Sequence, residues 1–388
     1  MFKNKRILFY VPGLDVIKGA VYYSQVFGLA QYLVQQGAHC LVVESAYGEG
    51  EYWEKEVDGV VLVNCPQMSK YVPQPFLHFK NRKMVKPAWQ RMLDFRPTHI
   101  YVRNVYAGLA ALNVVKASKA KLVFSRRGHE IAETFVNWNI KAFLKSRIVR
   151  LYTTYLMRHA SHVSMVAGTL YDDTIRFCKY TSVLPCCVME DKFNKITAEE
   201  RDNCRRMLDI PLDAKVVIYS GSMGHYQIPQ VFLSLMKRLY ENDKNLRFVI
   251  LTEMLDELNR NIESVGLPKE CYRVRKCMPQ EVIVYLQSAD VGLILRKDDA
   301  INHYASPVKI AEYLASGLGL IISPWIGDIG VALNGKDFAF LHRPDSSIET
   351  IIQFIYSITS EKRDNARAFA RSYYTYDGNC DALKSMFA

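Results

Sequence analysis

No uninterrupted apolar run in the chain approaches the roughly 18 to 20 residues of a membrane-spanning helix. The apolar segment near the start, Ile7 to Val11, is also too short for a signal-peptide core, so it reads as a first strand in the cytoplasm. There is no Cys-x-x-Cys pair: nine cysteines are scattered, with Cys186 and Cys187 adjacent. That pattern excludes a zinc ribbon and a disulfide framework and leaves reduced, mostly structural thiols. No full G-x-G-x-x-G fingerprint follows the first strand, and no Asp-x-Asp pair precedes a helix. Asp298-Asp299 is a metal candidate by adjacency alone.

Carboxylates are scarce in one half only. Residues 1–185 carry 25 Lys and Arg against 12 Asp and Glu, whereas the remainder carries 25 against 27, so the net charge of +11 originates entirely in the first half. An excess of that size predicts an anionic partner for the N-terminal half: a membrane surface, a phosphorylated acceptor or nucleic acid. Nucleic acid is disfavoured, because no recognisable binding module accompanies the basic residues.

With 388 residues, 49% of them hydrophobic, the chain has material for two cores. Short apolar runs alternate with helical periodicity. In the first half, strands are expected at Ile7–Val11, Cys40–Val43, Val60–Val63, His99–Val102, Leu122–Ser125 and His162–Val166, with a Gly19-bearing loop and a helix after the first. This βαβ pattern implies a parallel sheet. A basic, aromatic-rich region lies between about Lys70 and Pro97. After it, Ile140, Leu144, Ile148, Leu151 and Tyr155 form an apolar helical stripe, with Lys141 and Lys145 on one margin and Arg147 and Arg150 on the other. Such a stripe suits either an interfacial helix or a core helix with a solvated rim.

A second α/β series begins near Val183. A polar connector from about Glu190 to Asp209 precedes strands at Val216–Ser220, Phe248–Leu251, Val291–Leu295 and Leu320–Ser323, alternating with helices near 229–241, 254–264, 280–288 and 307–316. The stretch from Ser306 to Ser323 stands out. Lys309 and Glu312 share one helical turn, Ser306-Pro307 starts that helix, and Gly317 and Gly319 end it before a buried strand. Taken alone, this pair also fits an ordinary solvated helix face.

The blocks Val183 to Phe193, Val217-Ile-Tyr-Ser-Gly-Ser-Met-Gly224, Leu286 to Leu293 and Ser306-Pro-Val-Lys-Ile-Ala-Glu-Tyr-Leu-Ala-Ser-Gly317 resemble, in order and spacing, the retaining GT-B glycosyltransferases of family 4. In the first half, Gly13 to Ala20 and Phe124-Ser-Arg-Arg-Gly-His-Glu130 agree more loosely. The resemblance implies two Rossmann-like α/β domains facing a central cleft: 1–184 for the acceptor, 185–375 for the nucleotide sugar, and a tail at 376–388 able to pack back on the first domain.

It further implies a retaining transfer from a UDP- or GDP-linked sugar to a saccharide, with a polyprenyl-diphosphate-linked acceptor at the inner face of a membrane as the expected form. The pathway implied is surface polysaccharide assembly. No cofactor and no metal are expected.

A carboxylate suits a ribose diol, which assigns Glu312. Lys309, with the backbone of Ser306, Pro307 and Val308, suits the diphosphate. Gly221, Ser222, Gly224 and His225 are further donor contacts, followed by Arg275 and Arg296. His129 and Arg127 are implied at the reacting centre, and Lys18, Gly19 and Arg126 at the acceptor or a phosphate; His129 also reads as a surface histidine in a polar turn.

The chain departs from the family pattern twice. Tyr304 stands where a second Glu is usual, and Ser222, His225 and Gln227 stand where the loop often has Arg and Lys. Two other readings remain open: a nucleotide-sugar epimerase of the same fold, and a non-catalytic basic module docking on membrane or nucleic acid.

Overall fold

The computed structural model describes residues 1–12, 22–45, 52–64, 82–134, 139–224, 227–276 and 281–388. The chain divides into two compact units. Unit 1 is Met1–Cys187 with Tyr304–Ser306 and Asn379–Ala388; unit 2 is Val188–His303 with Pro307–Gly378.

Unit 1 is built on eight strands: β1 (Arg6–Pro12), β2 (His39–Ser45), β3 (Trp53–Val57), β4 (Val60–Asn64), β5 (His99–Val102), β6 (Lys121–Arg126), β7 (His162–Met165) and β8 (Thr181–Val183). Their order in the sheet is β3-β4-β2-β1-β5-β6-β7-β8. All neighbours are parallel except β3, which pairs antiparallel with β4. The central strand β1 is apolar at every position from Ile7 to Val11 and buried throughout, as a strand covered on both faces requires. The C-terminal helix Cys380–Met386 belongs to this unit, with the Phe387 ring edge-on to Phe2 and to His99.

Unit 2 holds β9 (Lys215–Ser220), β10 (Leu246–Leu251), β11 (Tyr272–Arg275), β12 (Val291–Ile294), β13 (Gly319–Ile322) and β14 (Ala339–Leu341), in the order β11-β10-β9-β12-β13-β14 and all parallel. Along β9, Val216 and Ile218 enter one core while Val217 and Tyr219 enter the other. The period of two is thus hidden inside a continuous apolar run.

The segment expected to be a polar connector contains the helix Ala198–Met207. It starts on a reciprocal cap: Thr197 Oγ1 accepts from Glu200 N at 3.1 Å, and Glu200 Oε2 accepts from Thr197 N at 2.7 Å. The underside of unit 2 is tied by one buried carboxylate. Asp290 accepts from Arg201 (2.7 Å), Arg205 (3.0 Å), Arg363 (3.1 Å) and the backbone N–H of Val216 (2.9 Å). Burial works against its ionisation, but the three guanidiniums outweigh that and hold its pKa below the ordinary aspartate value.

No helix among the described residues is long and apolar enough to cross a membrane. The helix Ile140–His159 carries its apolar stripe on the outside. Ile140 is 76% exposed and Leu151 69%, with Leu144, Ile148 and Tyr155 also exposed, whereas its buried positions are Ser146, Val149, Thr153, Leu156 and Met157. The core-helix alternative for this stripe is therefore excluded.

Two outcomes follow from these buried groups. Asp290→Ala leaves three guanidiniums without their carboxylate and is expected to cost about 3–5 kcal/mol, read from urea unfolding. A cost below 1 kcal/mol would refute the hub. In unit 1, burial pushes the imidazoles of His99 and His162 down to about 4. The unfolded chain then binds more protons between about pH 4 and 6.5, so stability falls as pH drops through that window, by roughly 3 kcal/mol for each histidine. His162→Gln should show a shallower decline than the parent; an unchanged slope would remove His162 from the account.

Candidate active site

The chain leaves β9 through Gly221, whose φ of +143° is closed to most side chains. A Cβ here would also collide with Lys309 Nζ. Glycine is therefore required both by the turn and by the lysine that passes beneath it. Lys309 donates to Gln227 Oε1 at 2.9 Å and lies 4.6 Å from the centre of the Tyr219 ring. Gln227 Nε2 in turn donates to Ser222 Oγ at 2.9 Å, and the Tyr219 hydroxyl sits 2.6 Å from Ser222 O and 2.8 Å from Gln227 Oε1. One side chain, Gln227, thus ties the loop after β9 to the lysine.

Among the described residues, no internal acceptor takes the backbone N–H of Ser222 or Gly224. Those two donors sit on the loop that Lys309 supports.

Lys309 and Glu312 lie on the helix Val308–Ala315, with Pro307 at its N-cap position, no acidic residue in its first turn and no side-chain cap. Its N-terminal N–H groups and dipole therefore add positive potential beside the ammonium. Loss of hydration, aided by the nearby Arg296, drives the Lys309 pKa well below its ordinary value, while Glu312 opposes the shift. Burial raises the Glu312 pKa, against the pull of Lys192 and Lys309. No described hydrogen-bond donor reaches the Glu312 carboxylate. The helix face thus presents a cation short of anionic neighbours and a carboxylate short of donors, which suits a ligand bearing phosphate oxygens and a vicinal diol.

Of the other donor candidates, Arg296 closes β12: its backbone N–H donates to Ser323 Oγ at 3.0 Å, and its guanidinium acts on Lys309. Arg275 ends the edge strand β11, two strands from β9, and donates to Val274 O (2.9 Å) and Met207 O (3.4 Å). The structure therefore does not gather it with Lys309; it caps carbonyls near the end of a neighbouring helix. His225 lies outside the described residues, as do Lys18 and Gly19 and, in the basic aromatic region, Lys70, Tyr71, Phe76, Phe79 and Lys80. Among the described residues, no group of three or more His, Cys, Asp or Glu is placed to hold a metal ion; Asp298 pairs with His303 at 2.6 Å.

In unit 1 the strand ends β5 and β6 carry the chemistry. Arg126, expected at the acceptor, is 1% exposed and already satisfied: Glu130 and Asp173 pair with it at 2.8 and 3.0 Å, and Thr174 Oγ1 accepts at 2.7 Å. It fixes the β6 turn from inside and does not face a ligand. Arg127 points the other way, donating to Gln25 Oε1 (3.2 Å) and Cys186 Sγ (2.7 Å).

His129 Nδ1 accepts from Ala132 N at 3.2 Å, which places the proton of the neutral ring on Nε2. Its ring stacks on Tyr304 at 4.7 Å. Burial and the Arg126 charge lower its pKa, keeping it neutral near pH 7. Tyr304 thus occupies the place of the usual second Glu by acting as a ring platform, and Ser306 Oγ accepts from Cys186 N at 3.3 Å.

Sequence reading missed Arg103. It directly follows β5 and is buried, yet its only signal in the sequence is a basic residue after an apolar strand.

Comparison with known proteins now gives these parts a common setting. Residues 200–372 match the family described as Glycosyl transferases group 1, a span that includes Gly221, Lys309 and Glu312. A D-inositol 3-phosphate glycosyltransferase from Corynebacterium efficiens is 25% identical over 149 residues, 35% of each chain, so the match spans about a third of that relative. Over the whole fold, a sucrose-phosphate synthase from Thermosynechococcus elongatus is similar at a TM-score of 0.75, with 12% identity and coverage of 97% of this chain and 96% of the other. Anabaena Alr3699/HepE in complex with UDP is similar at 0.70, with 13% identity over 98% and 99%. The protein has the two-domain GT-B fold, and its residues 200–372 are similar to the glycosyl transferases of group 1.

Proposed function

We propose that the protein is a retaining glycosyltransferase that moves a sugar from a nucleoside-diphosphate donor to a saccharide carried on a polyprenyl diphosphate, in assembly of a surface polysaccharide. The observation that carries this reading is the pairing of Lys309 and Glu312 beneath the glycine loop of β9. Unit 2 holds the donor: Glu312 accepts from the ribose diol, while Lys309, the first turn of its helix and the loop N–H groups take the diphosphate. The UDP bound by the Anabaena relative supports a uridine donor over a guanosine one.

In the transfer, the bond from C1 of the sugar to the phosphate oxygen breaks. The acceptor hydroxyl forms its bond to C1 on the same face, and its proton passes to the departing oxygen. No side-chain nucleophile or metal enters. Lys309 stabilises the leaving charge.

The outer face of Ile140–His159 supports work at the cytoplasmic surface of a membrane. Its apolar stripe is rimmed by Lys141, Lys145, Arg147, Arg150 and Arg158, and a groove of about 730 Å³ opens beside Leu151 and Tyr155. A helix that turns Ser146 and Thr153 inward and Leu144 and Leu151 outward fits an occupant that is apolar within and anionic at its rim, as an acidic lipid surface is.

Thermal shift with UDP and GDP, followed by turnover of the corresponding sugars, tests the donor site. Lys309→Met should weaken nucleotide binding by roughly 10–100-fold, the worth of a charge-assisted contact, and Glu312→Ala by about tenfold. Undiminished activity in both variants would sink the site; sugar epimerised without acceptor would favour the epimerase. For the membrane face, co-sedimentation with phosphatidylglycerol vesicles should exceed that with phosphatidylcholine, and Leu144→Gln with Leu151→Gln should reduce it at least about tenfold. Equal binding to both vesicle types would refute it.

A further inference from the structure

We propose that Gln227 is a positioning residue of the donor site. Its neutral amide holds the Lys309 ammonium and the loop after β9 as one unit, so that a bound diphosphate completes the ion pair of the lysine. This rests on the reading of unit 2 as the donor unit. Gln227 is 4% exposed and uses both ends of its side chain. Oε1 accepts from Lys309 Nζ at 2.9 Å and lies 2.8 Å from the Tyr219 hydroxyl, and Nε2 donates to Ser222 Oγ at 2.9 Å. Its backbone N–H donates to Gly224 O at 2.8 Å, which closes the loop on the same residue.

An amide carbonyl gives Lys309 a direction without giving it a counter-charge. The ammonium has no ion pair with a described residue. Arg296 repels it, while Glu312, one helical turn along, attracts it from beyond ion-pair distance and is itself drawn by Lys192. The Tyr219 ring, 4.6 Å from Nζ, adds the attraction of its face but no full charge. A carboxylate at position 227 would neutralise the lysine within the protein, and a lysine there would set two ammoniums against each other. Glutamine avoids both. One lysine aimed by an amide thus stands in for the Arg and Lys that this loop often has.

Loss of hydration, with Arg296, makes Lys309 hold its proton weakly in the free protein. Beside phosphate oxygens it holds that proton firmly, so diphosphate binding draws a proton from solution at pH values between the two affinities. Calorimetric titration of the full chain with UDP and with inorganic pyrophosphate, between about pH 7 and 9 in two buffers of different ionisation enthalpy, counts that proton. Comparing variants with the parent on one ligand cancels any proton the ligand itself exchanges.

The parent should take up a proton on binding. Gln227→Glu pairs Lys309 internally, so it should lose the uptake and bind roughly 10–100-fold more weakly. Gln227→Met removes the tether and adds no charge; it should keep the uptake and bind roughly three- to tenfold more weakly, the worth of one or two hydrogen bonds. A glutamine that merely braces the loop would give both variants the same loss and the parent's proton count. If the methionine variant does not fold, the proton count of Gln227→Glu still decides. Equal losses in the two variants, an unaltered count in Gln227→Glu, no uptake by the parent, or failure of both ligands to bind the parent would overturn the tether. UDP binding no tighter than pyrophosphate, with the variant pattern intact, would bear out the tether and count against a nucleoside donor.

Discussion

Unit 2 is referred to one buried carboxylate. Asp290 precedes β12 and receives donors from the helix Ala198–Met207, the helix Ser360–Tyr374 and the second residue of β9. Those contacts fix the start of β9 relative to β12. The opposite ends of the strands, where Gly221 and Arg296 emerge, then stand at fixed spacing. The helix bearing Lys309 and Glu312 packs through Ile310, Ala311 and Leu314 into the same core as Ala366, Ala370 and Tyr374 of the Ser360–Tyr374 helix. A charge cluster at the floor of the sheet therefore sets the geometry of a charge-sensitive site at its rim.

Three arginines at two neighbouring strand ends show why position alone does not define a role. Arg126 and Arg127 are adjacent in sequence, yet a strand sends successive side chains to opposite faces. Arg126 meets Glu130, Asp173 and Thr174 and becomes part of the scaffold, whereas Arg127 donates to Gln25 Oε1 and Cys186 Sγ. Arg103, one strand over, meets an aromatic ring. The same side chain is thus fully paired at Arg126, whereas at Arg103 its Nε and Nη1 have no hydrogen-bond partner among the described residues.

Much of this was legible in the residues. Every strand expected from an apolar run exists, because a strand covered on both faces cannot hide its composition: Ile7 to Val11 and Val216 to Tyr219 are examples. The strands that went unread, β3, β8, β11 and β14, are partly exposed edge or near-edge strands, and Trp53 to Val57 alternates charge with little apolar content. The helix Ala198–Met207 announced itself only through Thr197 and Glu200, three apart, in a stretch otherwise rich in charge. At the site, Lys309 and Glu312 were visible from their shared turn. The satisfaction of Arg126 was not, since Asp173 lies 47 positions further along the sequence.

The last ten residues belong to unit 1, where the Phe387 ring meets Phe2 and His99 and the Ala388 carbonyl oxygen lies 3.2 Å from the His99 ring. Unit 1 is consequently assembled from segments that lie on both sides of unit 2 in the sequence. Its sheet edge at β7 and β8 is covered by the helix Cys380–Met386. Unit 1 is thus interrupted in the chain by nearly all of unit 2 and closes only through residues 379–388, so a change in that short segment acts on the sheet of unit 1.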